Sequence, residues 1–200
     1  MLSVFTILIM LGVAYAFWRE GVLSAFVMSF NVFFAGLVAF NFFEPIAKEL
    51  EPMLSDSFLH GYEDSLAMML LFCPTLAFLR WLTNNLVRTT VDFHPILQQG
   101  GSVVFGFMTG YLVCGFLVCV LQTLPFSNHF MQFEARIDTQ SPGSKLRRIL
   151  PPDRVWLALM HRASKTSLAW EDETKDSSFD PDGSFELRYS RERRVPDKQD

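Results

Sequence analysis

The chain has 200 residues, 50% of them hydrophobic, with 21 Phe and a formal net charge of -4. A chain of this length can bury a soluble core, but the distribution of its charges excludes one. Met1–Trp18, Val22–Phe43 and Ser65–Leu79 carry no acidic or basic side chain, and a fourth uncharged run extends from Gly100 to Phe133. Runs of roughly 18 apolar residues match a hydrocarbon core about 30 Å thick at a helical rise of about 1.5 Å per residue.

The sequence therefore predicts an all-α membrane protein of about four transmembrane helices (residues 1–125), followed by a polar tail (126–200). Span 1 covers about residues 2–18. Its Ala14-Tyr15-Ala16 resembles a signal-peptidase site, but no Lys or Arg precedes Arg19, so the basic n-region of a signal peptide is missing and a retained span is expected. Only Arg19-Glu20-Gly21 separates it from span 2, about 22–43. The next segment, Glu44–Ser65, is acidic, with Lys48 its single base.

Span 3 covers about 65–82, with Glu63 and Asp64 at its start and Arg80 near its end, a distribution that suits the helix dipole. Pro74 falls inside it and predicts a kink. Span 4, about 102–124, stops at Pro125. In the tail, Pro152 and Asp153 read as start signals for an amphipathic helix over about 153–165. Val155, Trp156, Leu159, Met160 and Ala163 would form its apolar face, and Arg154, His161, Arg162 and Lys165 its basic one. Past Trp170 few apolar groups remain to offset ordering entropy, and disorder is expected.

Three features stand out within this frame. Gly106, Gly110 and Cys114 recur every four residues on span 4, with Gly101 before them and Gly115 beside them. Small side chains at this spacing let another helix approach closely in lipid. The face packs either on another span of the same chain, with Gly12 and Ala16 of span 1 as a candidate groove, or on a second copy as an oligomeric seam. Asn31 and Asn41 on span 2 need partners in hydrocarbon, either as interhelical hydrogen bonds or along a polar path. The tail helix could lie flat on anionic lipid, with Trp156 at headgroup level and Arg154, Arg162 and Lys165 toward phosphate, or dock on a partner or on the loops.

No span carries a charged group near its middle, which disfavours a proton-coupled pump or a charge-selective transporter. Cys73, Cys114 and Cys119 form neither a disulfide framework nor a metal-ligand spacing and read as small packing residues. His60, His94, His129 and His161 occur at unrelated spacings, and no nucleophile–base set or phosphate loop is evident. The expectation is a protein that is not an enzyme, uses no cofactor or metal, and binds no nucleic acid. Its partners would be the lipid bilayer and, in the alternative, further copies of itself.

Segments in spans 1–4 resemble the CvpA family, the bacterial colicin V production proteins. Phe17-Trp18-Arg19-Glu20-Gly21-Val22-Leu23-Ser24 is similar to that family's first loop, and Gly61-Tyr62-Glu63-Asp64-Ser65-Leu66 to the acidic entry of its third span. Gly101, Phe105-Gly106 and Gly110 are similar to the glycine-patterned start of the fourth. Two departures are visible: an Asp common near the start of span 1 is absent, and Thr109 stands where a basic residue is common. The resemblance implies a multi-pass protein of the bacterial inner membrane that supports small-toxin production or export, or envelope homeostasis. A small oligomeric channel, or a scaffold recruiting a partner through its tail, are the alternatives. Placing Arg19, Arg80 and Arg88 on the cytoplasmic side puts the tail in the periplasm, the favoured orientation; the alternative keeps Lys145, Arg147 and Arg148 of the tail in the cytoplasm.

Overall fold

A computed structural model describes residues 2–54, 61–86, 94–124, 152–164 and 185. Its described elements are five helices: α1 (Leu2–Glu20), α2 (Val22–Leu54), α3 (Glu63–Leu86), α4 (Pro95–Thr123) and α5 (Pro152–Ser164). By length and composition α2, α3 and the Ile96–Thr123 part of α4 can each cross a membrane. With 19 residues, α1 reaches about 28 Å at about 1.5 Å per residue and is compatible with a fourth span. The molecule is an all-helical, multi-pass membrane protein.

Helix ends follow local chemistry. Gly21 adopts φ 94°, a left-handed conformation that costs a glycine little, and it serves two helices at once. Its N–H donates to the Phe17 carbonyl at 3.3 Å, closing α1, and its carbonyl accepts from Ala25 N–H at 3.2 Å, opening α2. The chain thus reverses across one residue. Gly61, at φ 87°, is also left-handed two residues ahead of α3, whose first turn carries Glu63 and Asp64. Pro95 occupies the first turn of α4, where its missing N–H removes no helical bond. Leu124 is extended, as the residue before Pro125 tends to be.

The helices exceed the expected spans. α2 runs on past Phe43 through Pro45 and Pro52 to Leu54. The charge at Glu44 marks where hydrocarbon should end, but a helix need not stop there. α3 likewise continues to Leu86, and α4 begins at Pro95 rather than near Ser102.

Packing is extensive between α1 and α4, α4 and α2, and α2 and α3. The four long helices therefore form a row in the order α1–α4–α2–α3. α2 and α4 run in the same direction at its centre, and α5 lies against both. An apolar core of Phe40 and Phe43 (α2), Phe72 (α3), Phe116 (α4), Trp156 (α5) and Phe185 fills one end. Within it Phe72 and Phe116 stack at 3.8 Å with their planes 16° apart. Phe185 is buried, with its ring 5.9 Å from that of Phe40 and 6.5 Å from that of Phe43. The remainder of the stretch past Trp170, for which disorder is expected, lies outside the described residues.

Candidate functional site

The small-residue face of α4 is covered by α1 and the first residue of α2. A Cβ on Gly106 would come within 2.8 Å of the Ala14 Cα, and one on Gly110 within 2.8 Å of the Met10 Cα. A Cβ on Gly101 would meet Val22. Cys114 is fully buried beside Val118, with Ile9 packed on both. The expected groove of Gly12 and Ala16 is displaced: both are exposed, and nothing lies within 4 Å of a Cβ built on Gly12. The helix turns Met10, Val13, Ala14 and Phe17 inward instead, so one small side, on α4, suffices for close approach.

Polar side chains tie the row together. Ser29 and Thr109 share a hydrogen bond at 2.7 Å between α2 and α4, and Ser65 and Thr123 share one at 2.7 Å between α3 and α4. Asn31 donates to Thr83 Oγ1 at 3.2 Å, joining α2 to α3. Asn41, by contrast, is exposed and donates to the Leu37 carbonyl of its own helix at 2.9 Å. At the α1–α2 turn, Glu20 accepts from Arg80 and from Ser24, at 3.0 and 2.9 Å, while Arg19 is exposed. The Glu20–Arg80 contact brings the ends of the two outer helices together.

The most unusual contact belongs to the tail. α5 turns Trp156 into a notch with one glycine on each wall, Gly36 of α2 and Gly115 of α4. A Cβ on Gly36 would collide with the indole, and one on Gly115 would sit 2.7 Å from the Pro152 carbonyl and 2.9 Å from the Trp156 Cβ. Phe40 and Phe116 flank the indole, with centroids 6.3 and 6.0 Å away. Trp156 is 1% exposed. Its ring packs against α2 and α4 rather than standing on the open side of α5. Gly36 is eight residues before Glu44, the first charge on α2, which places the notch about 12 Å inside that boundary.

The faces of α5 also differ from expectation. Trp156, Met160 and Asp153 are buried, whereas Val155 and Leu159 are exposed together with Arg154 and Arg162. The inward face is therefore rotated toward Asp153, because the indole fixes which side of the helix enters the notch. Lys165 lies outside the described residues. Asp153, 2% exposed, accepts a hydrogen bond from Gln122 Nε2 at 3.0 Å and lies within electrostatic reach of Tyr111. Thus an acid enters the bundle although no span carries one near its middle. In the sequence Asp153 reads only as a helix start, and no pattern marks Gly36, Gln122 or Tyr111 as its surroundings. Among the described residues, no group of three or more His, Cys, Asp or Glu could hold a metal ion.

A row of apolar helices joined by buried hydroxyl and amide pairs defines the class: a multi-pass helical membrane protein, with α5 packed against two of its long helices. The chain belongs to the colicin V production protein family, whose family model matches residues 2–139. The match takes in all four long helices and ends before α5. No curated protein and no solved structure matches the chain.

Proposed function

We propose that this protein is an accessory factor of the bacterial inner membrane that supports production or export of a small toxin, or the integrity of the envelope, and that it performs no catalysis of its own. Family membership supports the toxin-related reading. The observation that carries an accessory role over a conduit is the filled α2–α4 groove. The indole of Trp156 occupies it, and the nearby polar groups bond helix to helix. An oligomeric channel built on the Gly106/Gly110 seam draws less support, since α1 already covers that face. In this reading the tail lies in the periplasm, and the exposure of Arg154 and Arg162 supports contact with anionic lipid there.

The test is deletion of the gene in its own host, with the secreted toxin titre and detergent sensitivity as readouts. The deletion should lower the titre or raise sensitivity, and the full chain in trans should restore it. If neither readout moves, the accessory reading fails. Phosphatase fusions after Asp200 and after Pro95 address orientation: activity at the first and silence at the second are expected for a periplasmic tail.

A further inference from the structure

α5 has two sides, and protein occupies the inward one. Trp156 and Met160 are buried, and the indole is held between Gly36 and Gly115, so the helix is fixed in rotation and its outward side has a set direction. That side consists of Arg154, Val155, Ala158, Leu159 and Arg162. Arg154 and Arg162 are about 12 Å apart along the axis and about 80° apart around it, so both serve one side of the helix. Among the described residues neither guanidinium has an ion-pair or hydrogen-bond partner. The neighbouring acid, Asp153, points the other way, to Gln122.

No single medium suits such a face. Water would leave Val155 and Leu159, 40% and 37% exposed, without cover, and hydrocarbon would strand two charges. The mixture suits the boundary between them, where aliphatic groups meet acyl chains and guanidinium groups extend toward phosphate. The seat agrees with that placement. Gly36 and Gly115 both belong to helices able to cross a membrane, so α5 rests against segments that lipid surrounds. A phosphodiester accepts two N–H donors of one guanidinium at once.

We propose that the outward face of seated α5 is a binding site for the headgroup of an anionic phospholipid, with Arg154 and Arg162 on its phosphate and Val155 and Leu159 against the start of its acyl chains. The proposal rests on the lipid contact of the tail given above and adds a defined ligand to it. A zwitterionic lipid carries the same phosphate, but its own cation offsets the charge, so the site discriminates by headgroup. Because Trp156 already holds α5 in place, binding orders two side chains and not a whole helix. The filled α2–α4 groove stays filled.

The test titrates the full chain, in maltoside micelles, with phosphatidylglycerol or phosphatidylcholine and counts bound lipid by mass spectrometry of the intact complex. Phosphatidylglycerol should bind saturably and about 25-fold more tightly, and Arg154→Gln and Arg162→Gln should each lower that preference about fivefold, the loss expected for one cation at an anionic surface. Arg19→Gln, which removes an exposed cation of α1, should leave it unchanged. An equal loss in Arg19→Gln would reduce the effect to net charge and overturn the site. Equal affinity for the two lipids overturns it as well, and competition by soluble glycerol phosphate as strong as by lipid rules out a lipid as the occupant.

A spin label at Leu159→Cys, with Cys73, Cys114 and Cys119 replaced, provides a second measurement in vesicles of both lipids. Oxygen dissolved in the bilayer should reach it. A label reached only by an aqueous nickel chelate places the face in water, and one reached by neither reagent places it under a second copy; both results overturn the site. Such a failure leaves the accessory reading standing, since that is read in toxin titre and detergent sensitivity.

Discussion

α4 uses glycine for two contacts that differ in kind. Along Gly106 and Gly110 the missing side chains admit the backbone of α1, whose Ala14 and Met10 Cα atoms lie where a Cβ would collide. At Gly115, paired with Gly36 of α2, they admit the side chain of Trp156 and the first turn of α5. A backbone wedged against a backbone has no rotamer with which to give way. An indole has side-chain torsions with which to adjust. The first contact therefore fixes the separation of two spans, and the second seats a side chain of α5 between α2 and α4.

The largest effect should come from Gly110→Leu. Four added carbons would have to displace the α1 backbone, and overpacking of this kind costs about 1–3 kcal/mol and at times more. Thermal unfolding in detergent should show cooperative loss of the α1–α4 pair. Unchanged unfolding would mean that the seam is looser than its 2.8 Å approaches indicate. Trp156→Ala ranks next. Truncating a buried indole is costly in a soluble core, but here the loss should fall on α5, so the effect on the spans is the smaller of the two. Protease cleavage within 152–164 should accelerate while the unfolding midpoint of the spans moves little. If the spans unfold together with α5, the two contacts are not independent.

A smaller effect is expected from Asn31→Leu, which removes the α2–α3 contact with Thr83. The single Thr83 hydroxyl proton keeps an acceptor in the Leu79 or the Arg80 carbonyl, at 2.9 and 3.0 Å, so no buried donor is stranded. The loss should be about 0.6 kcal/mol, typical of single hydrogen bonds between membrane helices. A loss several times larger would make this pair, rather than either glycine contact, the anchor of the row.

How much of this was legible depended on whether the signal was periodic. The long helices followed from uncharged runs, and the α4 seam from glycines four residues apart, because one helix face repeats at that interval. Gly21 was readable as a turn, since three residues had to reverse the chain between two apolar runs. The α5 seat had no such signature: Gly36, Gly115 and Trp156 come from three separate segments, and their meeting is a matter of tertiary geometry. Phe185, in a stretch rich in charged and turn residues, carried no periodic signal either. The partner chosen for the seam failed more instructively. Gly12 and Ala16 repeat the small-residue spacing, yet α1 turns a different face inward, since α4 alone supplies the clearance and α1 needs only to present Ala14 and the Met10 backbone.

That misassignment supplies the smallest expected effect and the sharpest control. Gly12→Leu places a large side chain where nothing lies within 4 Å, on the same helix as the Gly110 contact. In a lone chain, lipid accommodates the added leucine, and stability should change by no more than about 0.5 kcal/mol, as at other uncrowded sites. Unfolding of Gly12→Leu beside Gly110→Leu, in one detergent at several protein concentrations, separates the two faces of α1. Near-identity with the unsubstituted chain would establish that α1 has one packing face and that lipid covers the other. A concentration-dependent loss would show that Gly12 and Ala16 are covered by a second copy, with the small-residue motif of α1 serving assembly between chains rather than packing within one.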